Sequence, residues 1–306
     1  MTALPNTPFD SRKLLELDLA NTGLNGIDLT NAELSGAELV GLAARRAQMR
    51  YLRANESNLA ESDLAGADLR NASLQRSQLV TSDLQHALLC GADLSGANLQ
   101  GTNLQHANLA RAKLVGTRLS GCNLQGANLA EADLTGALLD GADLSHIVAP
   151  AANFSRTAVD GTNFRLADLS DCHLRGLSGK FTNFERASLF RARIDQSVLE
   201  DAKFDFADLR SAMVSNSRLI RSSFGGSDLS NTKLNGCQLD ESDFYWSNWE
   251  QCVAENCSLH AARFPESVII SFRSATGDPP NIVARPLYRS SASSVDRQKL
   301  IEQVLS

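Results

Sequence analysis

Three histidines, His86, His106 and His146, are separated by multiples of twenty residues. Five of the six cysteines, Cys122, Cys172, Cys237, Cys252 and Cys257, fall on numbers ending in 2 or 7. Paired imidazoles can hold a borderline metal, and paired thiols can hold zinc or close a disulfide. Neither set completes a site. No carboxylate or third ligand accompanies the histidines, which read as a solvated surface ladder beside a second one of Gln85, Gln105 and Gln125. The chain has no CxxC pair, and Cys237 and Cys257, twenty apart, read as buried small packers in a reducing cytosol. No nucleophile, base and oxyanion arrangement, phosphate loop or dinucleotide fingerprint stands out, so the sequence predicts no enzyme, no metal and no cofactor.

Residues suited to recognition are more abundant. Leu166, Arg186, Phe206 and Trp246 recur at multiples of twenty, Tyr245 adjoins the last, and Phe181 and Phe190 hold other outward positions. Exposed Trp, Tyr, Phe and Arg together have the composition of a protein interface. The stretch "ARRAQMRYLR" gathers Arg45, Arg46, Arg50 and Arg53 around Tyr51, which suits either an acidic partner or a solvated face. The tail "SSVDRQKLIEQVLS" predicts a short helix with Ser293 or Ser294 as N-cap. Its apolar stripe, Val295, Leu300, Ile301, Val304 and Leu305, either seals the end of its own chain or joins a second one as a homodimer.

A spacing of twenty needs an element that returns to the same line every twenty residues. In "ADLSGANLQGTNLQHANL", residues 92 to 109, leucine recurs every fifth position with a small residue two places earlier. Neither the helical period of 3.6 nor the strand period of 2.0 produces this. From Leu14 to Ile269 the register holds without insertion, and 47 of 52 centres are large and apolar. Where the centre is small, at Ala44, Ala54, Ala149 and Gly179, the preceding inward slot carries Leu42, Leu52, Ile147 and Leu177. Large and small have changed places, as a close-packed interior requires if volume is to be held. Ala254, preceded by Cys252, lacks that exchange. From Phe164 to Phe264 every centre at an interval of twenty is phenylalanine, so one coil contains four five-residue sides and the rings should stack. Asp or Asn before each centre can bond the local backbone, and Gly two places after it can supply a positive φ at the corner. The sequence predicts an all-β solenoid of about 13 four-sided coils, with a short C-terminal α-helix.

The units "GANLQ", "EADLT" and "GADLS" resemble the pentapeptide repeat family, whose unit is written A(D/N)LXX. That resemblance implies a right-handed quadrilateral β-helix over residues 17–271, after an N-terminal cap at 1–16. Residues 272–306 follow as an irregular linker, "SATGDPPNIVARPL", and a capping or dimerisation helix. Some members, the quinolone-resistance proteins, bind DNA gyrase as DNA mimics and protect it from inhibitors, and others are effectors or secretion-associated proteins. With a net charge of -6 and a pI near 5.4, the chain is acidic enough to argue against direct nucleic-acid binding and only mildly suited to DNA mimicry. No apolar run reaches membrane-span length, and the start lacks a signal-peptide core, so the expected compartment is the cytoplasm, with secretion as an effector left open. The expected function is a non-catalytic protein-protein interaction scaffold, with gyrase protection as the alternative.

Overall fold

A computed structural model describes residues 19–265, 268–273 and 281–286. Its contacts divide the chain into two units, Met1–Asp143 and Leu144–Ser306.

In the first unit parallel bridges join residues twenty apart, from Gly23↔Ala43 to Asn123↔Asp143, so one coil is twenty residues long. Each coil turns at four corners of one kind. The Ala97 N–H donates to the Leu94 carbonyl at 2.9 Å, and Gly96 between them has φ 69°. A positive φ at the third residue is the demand of a type II turn, which glycine meets without steric cost. The corner imposes the same φ on other residues, including Thr81 at 55° and Arg46 at 53°, at a cost of about 1 kcal/mol each. The Asp or Asn before the centre secures the bend: the Ser95 N–H donates to Asp93 Oδ1 at 3.0 Å and the Gln100 N–H to Asn98 Oδ1 at 3.3 Å. Between coils, the Leu94 N–H donates to the Lys113 carbonyl and the Lys113 N–H to the Ala92 carbonyl, at 2.8 and 2.9 Å.

Centres and small slots face inward together. Leu94, Leu99, Leu104 and Leu109 are fully buried with Ala92, Ala97, Thr102 and Ala107. Buried hydroxyls are satisfied by centre carbonyls: Thr102 Oγ1 donates to the Leu79 carbonyl of the preceding coil, and Ser57 Oγ to the Ala54 carbonyl of its own turn. Among the described residues no buried side-chain nitrogen or oxygen lacks a partner. The exchanged pairs stay in the coil, with Leu42, Ala44, Leu52 and Ala54 all buried and Ala43 and Arg53 bridged to Asp63 and Ser73.

The second unit repeats this plan and adds short named strands: β1 (His173–Arg175), β2 (Ser178–Lys180), β3 (Arg193–Asp195), β4 (Val198–Glu200), β5 (Met213–Ser215), β6 (Lys233–Asn235) and β7 (Val253–Glu255). Strands β1, β3, β5, β6 and β7 stack in parallel on one side, and β2 pairs with β4 on another. Its interior carries the phenylalanine ladder. Phe164, Phe184, Phe204, Phe224, Phe244 and Phe264 stack with centroids 4.7 to 5.3 Å apart and planes within 14°. Trp249 meets Phe244 and Phe264 edge-on at 4.9 and 5.4 Å.

Beyond Asp243↔Arg263, the last parallel bridge among the described residues, the chain leaves the repeat. Strand β8 (Val268–Arg273) pairs antiparallel with β9 (Asn281–Pro286), which itself pairs antiparallel with β7 through Val253↔Val283. Residues 281–286, expected to be irregular linker, are therefore strand, and Ile269 sits in a hairpin instead of a further coil. The reason is the open edge of the last coil: the β-branched pair Ile282 and Val283 supplies a strand that covers β7. The expected cap at 1–16 and the predicted helix with Val295, Leu300, Ile301, Val304 and Leu305 lie outside the described residues.

Candidate functional site

Where a corner glycine is preceded by a side-chain-bearing corner twenty residues earlier, that side chain leans onto it. Arg46 lies over Gly66, Thr81 over Gly101, His106 over Gly126, and Phe206 over Gly226. In the second unit this contact shapes an apolar edge. Leu166, Arg186, Phe206, Gly226 and Trp246 occupy one corner, each with φ between 57° and 65°. Phe206 is 56% exposed and Trp246 74%. The Phe206 ring spreads across Gly226, where an added Cβ would come within 2.7 Å of it. The Arg186 guanidinium sits 5.6 Å from its centroid, within cation–π range. Tyr245 lies 4.9 Å from Trp246 with the rings tilted by 32°.

Phe181, 66% exposed, stands on the neighbouring corner, across the side that holds residues 182–185. Six of the predicted recognition residues, Leu166, Phe181, Arg186, Phe206, Tyr245 and Trp246, thus border one side of the second unit. Phe190 departs from expectation. It is half-buried, with the Arg191 and Arg210 guanidiniums 4.8 and 5.7 Å from its ring.

Two features of this side escaped sequence reasoning. Gly225 and Gly226 place side-chain-free backbone after Phe206, and its ring lies across Gly226; the doublet "GG" was the available signal. Beside them, Asp205 Oδ1 accepts from Ser223 Oγ and from the Gly225 N–H, the latter at 3.0 Å. On the other flank of Phe206 a shallow depression is lined by Ala207, Asp208, Arg210, Gly226 and Asp228.

The arginine cluster of the first unit is largely charge-compensated. Arg45 pairs with Asp63, Arg50 Nε reaches Asp68 Oδ2 at 2.5 Å, and Arg53 stands 3.9 Å from Glu33. Arg46 lays its stem over Gly66. Hydrogen bonds from Arg70 and then Arg50 hold the Asp68 carboxyl well below the usual carboxylate range. A folded-state pKa below the unfolded value contributes stability that is present above about pH 4 and lost as pH falls through the folded value. Asp68→Asn should therefore cost about 1–2 kcal/mol at pH 7 and clearly less at pH 3, by urea unfolding at both values. Equal costs at the two would show that the charge is not the source.

His86 and His106 stack at 5.3 Å with planes 11° apart, which keeps their ring nitrogens in parallel planes instead of aiming them at a common point. Gln85 Nε2 donates to Gln105 Oε1 and Gln105 Nε2 to Gln125 Oε1, at 3.0 and 3.1 Å. Burial pushes the thiols of Cys122, Cys172 and Cys252 up to about 12. The Cys257 thiol, hydrogen-bonded to Cys237, is pushed up further, while the same contact lowers Cys237. Among the described residues no group of histidine, cysteine and carboxylate side chains could hold a metal ion, and no helix is long and apolar enough to cross a membrane.

The family model for pentapeptide repeats matches the chain in eight copies, over residues 47–85, 82–121, 117–156, 182–219, 197–236 and 207–244, together more than half of its length. No curated protein matches it in sequence. Among solved structures it is similar to HetL, a pentapeptide repeat protein involved in heterocyst differentiation regulation from the cyanobacterium Nostoc sp. strain PCC 7120. That match has 26% identity and a TM-score of 0.42, and covers 78% of this chain and 90% of HetL. It is also similar to full-length QnrB1, a plasmid-mediated fluoroquinolone resistance protein, at 20% identity and a TM-score of 0.35, covering 58% of this chain and 91% of that one. Rfr23 from the cyanobacterium Cyanothece 51142 matches at 23% identity and a TM-score of 0.19, covering 49% and 98%.

Proposed function

Because the chain belongs to the pentapeptide repeat family, we propose that it is a non-catalytic scaffold that binds a protein partner through the aromatic-edged side of its second unit. The observation that carries this reading is the exposure of Trp246 and Phe206, flanked by Tyr245 and Arg186, on a regular β framework. Large aromatics gain little from facing water, and interfaces draw their strongest anchors from Trp, Tyr and Arg. The framework supports anchors of this kind because each corner is locked by its turn and by hydrogen bonds to the coils on either side.

Gyrase protection by DNA mimicry is the alternative, and it calls for sustained negative potential. Many outward acids here are paired with arginine, as in Arg45–Asp63, Arg111–Glu131, Arg191–Asp171 and Arg221–Asp201, which favours the scaffold reading. A supercoiling assay with and without a gyrase poison separates the two, since the scaffold reading expects no inhibition and no rescue. The buried free thiols suit a reducing cytoplasm. Homodimerisation through the C-terminal end, and secretion as an effector, are compatible with this reading and are not required by it.

Trp246→Ala and Phe206→Ala are each expected to weaken capture of the partner by at least tenfold while leaving the stability within about 0.5 kcal/mol of wild type. The check is a quantitative pull-down from the native host beside a thermal melt. Capture equal to wild type by both variants would remove this side as the contact.

A further inference from the structure

We propose that the edge formed by Leu166, Phe206 and Trp246 is a docking track for a proline-rich segment of a partner in the polyproline II conformation, with a basic residue of that segment seated at Asp205. The inference rests on the scaffold reading and adds the partner's chemistry to it.

The first argument is repeat length. Leu166, Phe206 and Trp246 lie forty residues apart on one corner, which is two coils in a register of twenty. With neighbouring parallel strands about 4.8 Å apart, successive rungs are spaced by about 9.6 Å. A polyproline II helix turns once in three residues at about 3.1 Å per residue, or about 9.3 Å per turn. Side chains three apart on such a helix therefore meet successive rungs, with a mismatch of about 0.3 Å per turn. An α-helix, with a pitch of about 5.4 Å, does not match the track.

The second argument is what lies between the rungs. Gly226 has no side chain, and the Phe206 ring covers its backbone, giving a flat apolar floor. One coil further along the same corner Trp246 pairs with Tyr245, tilted by 32° at 4.9 Å, and both rings are exposed. Exposed aromatic rings are what a pyrrolidine ring packs against, and a preformed polyproline helix gives up little conformational entropy on docking. Arg186 occupies the interval between Leu166 and Phe206 with its guanidinium directed to the Phe206 ring, so it adds to the platform.

The third argument is charge. Asp205, next to Phe206, uses one carboxylate oxygen for Ser223 and Gly225 and makes no ion pair among the described residues. The neighbouring acids are already engaged, Asp208 and Asp228 with Arg210 and Asp243 with Arg263. Asp205 is thus the carboxylate at this edge open to a cation, and an arginine or lysine flanking the prolines of the partner complements it.

The test titrates the full chain with a synthetic nonaproline, the same peptide with one terminal arginine, a nonamer of alternating glycine and serine, and cellohexaose. Calorimetry is read beside the fluorescence of exposed Trp246. The nonaproline should bind in the micromolar range, with the arginine peptide at least threefold tighter. Trp246→Ala and Phe206→Ala should weaken both by at least tenfold, and Asp205→Asn should remove only the gain from arginine. A His106→Ala variant on the first unit should bind as wild type. Equal binding of the glycine–serine peptide, binding of cellohexaose alone, or no binding of either proline peptide would overturn the proposal. If the proline peptides fail while Trp246→Ala still abolishes capture of the native partner, the scaffold reading survives without this ligand class. If capture is also unchanged, both fall.

Discussion

Phe204→Ala is expected to cost about 3–5 kcal/mol of stability, the range for emptying a buried aromatic position. Phe204 is fully buried and stacks on Phe184 at 4.9 Å and on Phe224 at 4.8 Å, with planes 9° and 3° apart. Its loss removes contacts to the coil before and the coil after, and in a stacked architecture those nearest-neighbour contacts are the main source of stability. Phe204→Leu restores the commonest centre of this repeat and most of the volume, so it should cost only about 1–1.5 kcal/mol. Urea unfolding of the two variants beside wild type decides the matter. A cost below about 1 kcal/mol for the alanine variant would mean that the ladder is ornamental.

The second large effect concerns Leu177 and Gly179, where the inward large and small residues have exchanged places. Leu177→Ala should cost about 2–5 kcal/mol, since Leu177 is 2% exposed and supplies the volume of that side. Gly179→Leu alone should cost about 3 kcal/mol or more, the upper end for overpacking. A Cβ there would meet the Val159 carbonyl carbon at 2.7 Å and its oxygen at 2.8 Å, and backbone cannot give way cheaply. Leu177→Ala frees side-chain volume but leaves the Val159 backbone in place, so the double variant should recover only the crowding part of the Gly179→Leu cost and fall about 1 kcal/mol short of the sum. Simple additivity would mean that side-chain volume plays no part and that the backbone contact alone keeps position 179 a glycine.

The period, the coil length and the exchanges were legible in the sequence because a filled interior forces volume to recur at every coil. Leu42 with Ala44 and the phenylalanines from Phe164 to Phe264 are packing constraints written as spacing. The grouping of Leu166, Arg186, Phe206 and Trp246 was legible for the same reason, since positions twenty apart must share a corner. The direction of those side chains was not. The lean of Phe206 onto Gly226 goes with the positive φ at its corner, a backbone property that the residue type does not announce. The neutralisation of Arg45 and Arg50 was hidden because their partners, Asp63 and Asp68, are eighteen residues away on the next coil. The β8–β9 hairpin was missed because the repeat ends there, and "NIVARP" next to Pro and Gly carries no period to read.

The central claim is that the partner is held at the aromatic-edged side of the second unit, and photocross-linking tests it most directly. A photoreactive phenylalanine analogue placed at position 246 should form an adduct with the partner, and the same group at position 106 should form none. Adducts of equal yield from both positions, or none from 246 while the partner is still captured, would contradict the account.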